Sequence, residues 1–549
     1  MKMRKLHVRA LLLSISGALL LQACNDAPSA EGEETRLAVS NDVASLSSRV
    51  AMKNQSVGLN TNGGGSKGAA NLAASTMDDS TYELIAEIAS PSLKGNTLSA
   101  THVRLDGDQA FVTYHINGAE YGGGFEVINL ANEANISITG QALYNDTNMN
   151  ALAVDTEVDL DGNTQRVYLA GANGSGAIVE KLDITNGLVT ENTQTLELPG
   201  PNANGVIRTR HMLYVTAGGR SGDGGVVAVD VRNGSNHFTI NETENYADAK
   251  DVATTGGDVN DDMVVLKGGT NSSIEIYRVA ANGLNKRGNS AAGSMNVVDG
   301  KNTVVIDAGL AYTAMSDLGV KIFDLNSSSA TEEYHLPSTA FGGGLSNGIA
   351  VDEDKIYIAN GTSGLFIADK PIGSNLTVNG VLNLSGSANF VAANDSYIVV
   401  ANGTGGVKVL KRIAPEIDAC ANGDTWNINT NPSAKVERNQ TIIKSGSIAF
   451  RNDLNVEGEL YYCGAMQVGS NLLVQNGGKF DMNGSLVVNR DLNLGSNSTL
   501  VIEGSLTIQG NFNFGGTIIF KGSGSSLQVS GNVNNNGGKS EGTWSGRQL

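Results

Sequence analysis

Between residues 81 and 413, short apolar segments with a central aromatic or aliphatic residue recur seven times. The central residues lie 57, 46, 51, 47, 45 and 42 positions apart. The segments are Ala110-Phe111-Val112, Val167-Tyr168-Leu169, Leu213-Tyr214-Val215, Val264-Val265-Leu266, Ala311-Tyr312-Thr313, Ile356-Tyr357-Ile358 and Ile398-Val399-Val400. Several short buried strands repeating at about 48 residues predict the blades of a β-propeller.

Most of these segments are followed by a glycine-rich turn and a second apolar strand. The second strands lie at residues 124–130, 225–231, 319–325, 364–369 and 406–410, and the fourth repeat, at residues 274–278, departs most from the pattern. The stretch resembles the LVIVD-repeat β-propellers, whose name describes this second strand. The resemblance covers all seven repeats and implies a seven-bladed β-propeller over residues 81–413.

A further strand-like segment at residues 82–88 precedes the first repeat, whereas the seventh repeat lacks a strand at its end. We therefore expect residues 82–88 to complete the seventh blade. Such a closure removes the exposed sheet edges that invite aggregation.

From residue 414 onward, the apolar residues recur with a shorter repeat. Segments that begin at Ile448, Met466, Leu486, Leu506 and Leu527 lie 18, 20, 20 and 21 residues apart. Each turn supplies three pairs of apolar residues two positions apart, which is one face of three short strands. Glycines mark the corner that follows: Gly464, Gly484, Gly504 and Gly522. The fold class is therefore all-β, a seven-bladed β-propeller followed by a three-sided β-solenoid over residues 414–549.

A single coil buries too little apolar area to be stable, so the coils must stack, and their open ends need a cap or a partner. The segment Asn534-Asn535-Asn536-Gly537 replaces an apolar column and marks the end of the stack.

The N-terminus has a basic segment and an apolar run at residues 11–21 that is too short for a permanent membrane-spanning helix. It ends in Leu21-Gln22-Ala23-Cys24, which resembles the signal of bacterial lipoproteins. The resemblance implies a signal peptide at residues 1–23 and a lipid on Cys24 that anchors the protein in the outer membrane. An ordinary secretory signal that carries a cysteine is the alternative.

Residues 24–80 are rich in Ala, Ser, Gly and Asn and contain no aromatic residue. This composition predicts a flexible tether with at most a transient helix at residues 37–52. If Cys24 is acylated, Cys420 and Cys463 are left as a pair that can form a disulfide in an oxidising compartment. Two free buried thiols are the alternative.

The chain has 549 residues, with 37 Lys+Arg against 55 Asp+Glu and a formal net charge of -18. This balance excludes nucleic acid as a partner. From Ala419 onward, basic and acidic residues number nine each, so the acidity lies in the propeller and the tether. Acidic propellers that pack side by side need bridging divalent cations, so structural Ca²⁺ is an option, although no Asp-x-Asp-x-Asp-Gly loop specifies a site. Residues 106–108 and 159–162 are interpreted as hairpin turns.

Candidate catalytic chemistry is sparse. Gly344-Leu345-Ser346-Asn347-Gly348 fits the nucleophile-elbow pattern, yet it lies in a glycine-rich loop before a strand instead of between a strand and a helix. The histidines show no metal-ligand spacing, and His102 and His115 are interpreted as hydrogen-bonded strand residues. The full set is His7, His102, His115, His211, His237 and His335. No catalytic or cofactor-binding residue is assigned, and we expect no enzyme.

These features together resemble the surface-layer (S-layer) and biofilm-matrix lipoproteins of Gram-negative marine bacteria. The resemblance implies a cell-surface protein that self-associates into a lattice, is tied to the outer membrane and meets surface polysaccharide. Two alternatives stay open. The glycine-rich loops at residues 122–124 and 342–344 could bind glycan, or the propeller could act on a polysaccharide or lactone through a cluster of His, Asp and Glu at the mouth of its channel.

Overall fold

The chain divides into two units, Met1–Ile413 and Ala414–Leu549, in a computed structural model. The structure describes residues 35–60 and 81–549, apart from gaps at 156–162, 220–222, 233–237, 298–299, 327–329, 353, 372–375, 414–418, 427–433, 439 and 523. The predicted signal peptide, Cys24, the expected turn at residues 159–162, His7 and His237 lie outside the described residues.

The first unit is a seven-bladed β-propeller, as predicted from the repeats. Each recurring aromatic or aliphatic segment forms the second strand of a blade, and these strands are almost entirely buried between neighbouring blades. From the innermost strand outward, the blades are: Ser99–Asp106, Gln109–His115, Gly123–Asn129, Ser137–Tyr144; Thr147–Val154, Thr164–Asn173, Gly176–Thr185, Leu188–Glu197; Ala203–Arg208, Met212–Gly218, Gly224–Asp230, Thr239–Asn245; Ala249–Thr254, Asp262–Lys267, Ser272–Arg278, Asn285–Gly293; Val304–Asp307, Leu310–Ala314, Val320–Asp324, Thr331–Leu336; Gly348–Val351, Lys355–Ala359, Leu365–Asp369, Val378–Leu382; and Phe390–Ala393, Ile398–Ala401, Val407–Ile413, Thr81–Ile88.

The seventh blade joins the two ends of the propeller sequence. Thr81–Ile88 pairs antiparallel with Val407–Ile413, which confirms the predicted closure. Lys408 Nζ lies 2.6 Å from Glu87 Oε1 across this pair. Short elements outside the blades are the hairpin Ser92–Leu93 with Asn96–Thr97 and the 3₁₀-helix Ser338–Phe341.

The prediction of a flexible tether over residues 24–80 is wrong for residues 35–60. Leu37–Ser40 adds a fifth strand to the first blade, and Val50–Val57 adds a fifth strand to the seventh. Between them, the helix Val43–Ser47 buries Leu46. A few aliphatic side chains suffice here because they are added to sheets that already exist, so the segment needs no core of its own.

The second unit is a β-solenoid of parallel strands, and its six-stranded sheet shows six coils. The pairing register follows the sequence columns, for example Ile448 with Met466, Leu486, Leu506 and Leu527. The strands are: Asp424–Thr425, Ala434–Val436, Thr441–Phe450, Leu454–Val456, Glu459–Val468, Leu472–Val474, Lys479–Val488, Leu492–Leu494, Thr499–Ile508, Phe512–Phe514, Thr517–Phe520, Ser526–Val529, Val533–Asn535, Lys539–Gly542 and Ser545–Gly546.

Two of the three faces of a typical coil come from one ten-residue strand that bends at a glycine, whereas the sequence predicted two separate strands. Gly464, Gly484 and Gly504 occupy the bend with φ of 128°, 132° and 128°. A Cβ at Gly484 would lie 2.0 Å from the carbonyl oxygen of Gly464. The bend therefore needs glycine both for its left-handed φ and for the close approach of consecutive coils.

Aromatic residues cover both ends of the solenoid core. At the first coil, the ring of Trp426 packs edge-on to Phe450 with centroids 5.3 Å apart. Near the last coil, Trp544 stacks on Phe520 at 4.5 Å. A short helix, Ala419–Asn422, lies at the beginning of this unit, and its Cys420 is joined to Cys463 by a disulfide with a Cα–Cα distance of 4.9 Å.

Candidate functional site: the two mouths of the propeller channel

The seven innermost strands surround a central channel with a cavity at each end. The first cavity, of about 880 Å³, lies where these strands begin. We call it the amide mouth because seven asparagines line it: Asn117, Asn148, Asn150, Asn202, Asn204, Asn347 and Asn389. The second cavity, of about 870 Å³, lies where the strands end and is lined by Arg104, Arg208 and Arg210. We call it the arginine mouth.

Polar side chains along the channel, several of them at the amide mouth, fasten one blade to the next. Asn150 Nδ2 donates to Ala203 O at 3.0 Å, and Asn204 Nδ2 donates to Ala249 O at 2.7 Å. Equivalent contacts at four other junctions are Thr101 Oγ1 to Met149 O (2.9 Å), Val304 N to Asp251 Oδ2 (3.0 Å), Ile349 N to Thr303 Oγ1 (3.0 Å) and Asn389 Nδ2 to Ala100 O (3.5 Å). These clasps give much of the polar ring a structural role.

Two amides of this mouth are not used in that way. The side chains of Asn202 and Asn347 line the cavity and form no hydrogen bond with any residue the structure describes. They are available to a ligand that offers donors and acceptors, such as a sugar hydroxyl.

Ionisable groups meet deep in the channel. The Lys301 ammonium donates to Asn150 O and lies 5.6 Å from the centre of the Phe390 ring. Burial lowers the pKa of Lys301 and raises the pKa of Asp251, while the attraction between the two groups opposes both shifts. Burial is also the largest cause of the lowered pKa values of His102 and His115, so both imidazoles are neutral near pH 7.

The two channel histidines differ from each other. Both ring nitrogens of His115 lie next to side-chain amides, 3.2 Å from Asn150 Oδ1 and 3.1 Å from Asn117 Oδ1, and the single N–H of the neutral ring can donate to one of them, as expected for a hydrogen-bonded strand residue. His102 stacks on Phe390 with ring centroids 4.0 Å apart, but its buried Nδ1 has no hydrogen-bond partner. The expectation that His102 is fully hydrogen-bonded is therefore wrong.

The arginine mouth contains three guanidinium groups with different surroundings. Arg208 Nε lies 3.2 Å from Asp155 Oδ2, and the exposed Arg210 lies 3.6 Å from Asp258. Arg104 is exposed to the cavity and forms no ion pair with a described residue. Protein atoms around this channel position lower the pKa of Arg104 through desolvation, which the nearby charge of Asp106 partly offsets.

The other positions singled out in the sequence have ordinary structural roles. Ser346 is fully buried, its Oγ lies 3.3 Å from Asn360 Oδ1, and a strand instead of a helix follows it, so no nucleophile elbow forms. The turn at residues 106–108 joins paired Asp106 and Gln109, as expected for a hairpin. His335 Nε2 lies 2.8 Å from Leu318 O. The glycine-rich loops at residues 122–124 and 342–344 do not line either cavity.

Within the described ranges, no three His, Cys, Asp or Glu side chains come together in an arrangement that could hold a metal ion. The same part of the chain contains no helix with the length and hydrophobicity needed to cross a membrane. The sequence did not single out Arg104, Asp251 or Lys301, because a single charged residue in a strand (Arg104, Asp251) or just before one (Lys301) carries no signal until the blades bring it to the channel.

No protein-family model matches the chain, and no curated protein sequence matches it. Solved propeller structures are similar in fold. Virginiamycin B lyase from Staphylococcus aureus is 11% identical, with 60% of this chain and 100% of that chain covered and a TM-score of 0.40. The WD40 domain of Toxoplasma gondii coronin is 11% identical over 63% of this chain and 90% of that chain, with a TM-score of 0.42. At these values the matches support no statement about activity. The chain is a seven-bladed β-propeller with a C-terminal β-solenoid.

Proposed function

We propose that the protein is a structural lipoprotein of the cell surface that associates with copies of itself into a surface layer and contributes to a biofilm matrix. One observation carries the proposal: the last coil of the solenoid ends in unpaired strand edges. Val533–Asn535, Lys539–Gly542 and Ser545–Gly546 each pair with the preceding coil and, within the described residues, with no strand beyond it. Exposed strand edges are ready to pair with another chain.

A ladder of polar side chains leads to this edge. The backbone N–H of Asn471 donates to Asp453 Oδ1 at 2.8 Å, and the same contact recurs one coil later at each step through Asp491, Asn511 and Asn532. Asn532 is the last rung, and its side chain bonds to no described residue. A strand from a second copy could take the next position in the ladder. Lys539 and Glu541 carry opposite charges, so this edge has no net charge to repel it.

The experiment measures assembly of the full chain by analytical ultracentrifugation, with and without Ca²⁺, and by electron microscopy of cell envelopes. The variant Asn532→Lys places a charge on the terminal rung and is expected to reduce association. Gln528→Lys is the matched control, since Gln528 is exposed but lies in a strand paired on both sides. A monomer under all conditions, together with envelopes that lack a lattice although the protein is abundant, contradicts the proposal. Ca²⁺ dependence would support cation-bridged propellers.

A second candidate function is glycan binding at the amide mouth, which the unused amides of Asn202 and Asn347 favour. The candidate glycan site is therefore the amide mouth and not the glycine-rich loops at residues 122–124 and 342–344, which do not line it. A glycan array probed with the full chain tests it. The double variant Asn202→Ala with Asn347→Ala should lose binding, whereas Asn241→Ala, on the exposed outer strand of the third blade, should keep it. An array without hits rejects this candidate and leaves self-association untouched.

A further inference from the structure

Arg104 differs from the other cations at the arginine mouth because it forms no ion pair with a residue that the structure describes. The carboxylates of this cavity are each matched: Asp155 by Arg208, Asp258 by Arg210, Asp307 by Lys370 at 2.9 Å, and Asp251 by the nearby Lys301. These four carboxylates have four cationic partners. Arg104 is a fifth cation, so it carries the excess positive charge. In a protein with a formal net charge of -18, the Arg104 guanidinium forms no ion pair with a described carboxylate, and only the nearby charge of Asp106 acts on it.

Arg104 lies at the wall of the cavity. Arg104 and His102 lie two positions apart on Ser99–Asp106, so they are on the same side of this innermost strand, and both line the cavity. The buried Nδ1 of His102 has no partner, and Nη1 of Arg208 is also buried without one. Buried polar groups are normally satisfied, so two unpartnered groups on residues that line this cavity favour a polar ligand here.

We propose that the arginine mouth binds a small hydrophilic carboxylate, such as the uronate unit of an acidic glycan. The planar guanidinium of Arg104 matches a carboxylate through two parallel hydrogen bonds. The imidazole of His102 then meets the hydroxyl groups of the ligand. The cavity of about 870 Å³ is large enough for one or two sugar units. This site lies at the other end of the channel from the amide mouth and does not depend on self-association.

The experiment compares D-glucuronate with D-glucose, since the two differ by a carboxylate in place of a hydroxymethyl group. Binding to the full chain is followed by saturation-transfer NMR and isothermal titration calorimetry. Glucuronate is expected to saturate the site, and glucose is expected to bind about tenfold or more weakly. Arg104→Gln should weaken glucuronate binding by about tenfold or more and leave the weak glucose signal unchanged.

Arg104→Lys keeps the charge but loses the two parallel bonds, so it should fall between the wild-type protein and Arg104→Gln. It also decides the question if Arg104→Gln does not fold, as judged by circular dichroism. The matched control is Arg278→Gln, because Arg278 pairs with Asp262 away from both cavities. Equal affinity for both sugars, unchanged glucuronate binding in the variants at Arg104, or no saturation by glucuronate overturns the proposal.

Discussion

The guanidinium of Arg36 donates to both carboxylate oxygens of Glu180, at 2.8 and 2.9 Å, across 144 positions of sequence. The Glu180 side chain is fully buried, whereas that of Arg36 is 35% exposed. Arg49 Nη2 likewise donates to Glu126, another fully buried carboxylate, but to only one of its oxygens. The N-terminal segment therefore places a cation over a buried acid on each of two neighbouring blades.

Arg36→Ala is expected to lower the free energy of unfolding of the propeller by about 2 kcal/mol, because it leaves a buried carboxylate without its counter-ion. The neutral amide of Glu180→Gln should recover part of this loss in the double variant. Both of the chain's tryptophans lie in the solenoid, so tyrosine circular dichroism, and not tryptophan fluorescence, follows the propeller. Equal stability of Arg36→Ala and the wild-type protein would contradict the assigned role.

The two repeats of apolar residues, one in the propeller and one in the solenoid, predicted the propeller, its closure and the apolar columns of the solenoid. A repeated sequence shows the same pattern of burial many times, so the pattern is easy to recognise. Residues 35–60 gave no such signal. Their two strands occur once each, and the acids that pair with Arg49 and Arg36 lie 77 and 144 positions away in the sequence. A single amphipathic segment that packs on an existing sheet has the composition of a linker. For this reason the composition of residues 35–60 wrongly predicted a flexible tether.

The candidate site was less predictable than the fold. Asn204 looks like one more asparagine in a sequence rich in them, yet its amide bridges Gly218 O at 3.2 Å and Ala249 O at 2.7 Å. The sequence alone cannot distinguish Asn204, whose amide joins two blades, from Asn202, two residues earlier, whose amide bonds to no described residue. The positions of the blades in the structure make the difference visible.

Asn204→Ala is expected to destabilise the propeller by about 1 to 2 kcal/mol. It leaves two backbone carbonyls, that of Gly218 in the third blade and that of Ala249 in the fourth, without this donor. Asn202→Ala, which removes an amide of the same size without breaking a described contact, should change the melting temperature little. Differential scanning calorimetry of the two variants gives the comparison. A larger loss for Asn202→Ala than for Asn204→Ala would reverse the assignment of clasp and free amide.

Gly484→Ala is expected to disrupt the solenoid by about 3 kcal/mol or more, since the added methyl would meet the carbonyl of Gly464 at 2.0 Å and φ is 132°. Gly495→Ala is the matched control, because its nearest contact is 3.4 Å and its φ lies outside the left-handed region. Urea unfolding followed by tryptophan fluorescence reports on this unit. A similar midpoint for both variants would show that the coils can move apart.

Trp544→Ala should uncover the end of the solenoid core and cost about 2 kcal/mol, somewhat less than a fully buried aromatic residue. Besides stacking on Phe520, the indole donates from Nε1 to Arg547 O at 2.8 Å. Trp544→Phe keeps most of the apolar cover but loses this hydrogen bond, so it should be intermediate. The fluorescence of Trp426 remains as the probe. Unchanged unfolding of Trp544→Ala would mean that the last coil does not contribute to the cooperative unit.

Glu87 links acid stability to the closure of the propeller. Its carboxylate lies 2.6 Å from Lys408 Nζ and 2.9 Å from Lys53 Nζ, and hydrogen bonds to these two lysines are the largest causes of its lowered pKa. A carboxyl whose pKa is lower in the folded state than its usual 4.5 stabilises the fold above that pH and loses this contribution as the pH falls through the folded value. Glu87→Gln should therefore cost up to about 1 kcal/mol at pH 7, the size expected for a partly exposed pair, and nothing at the lowest pH at which the protein folds. Urea midpoints measured between pH 3 and pH 7 show how the stability of each protein changes with pH. Parallel curves for Glu87→Gln and the wild-type protein would show that Glu87 does not stabilise the closure.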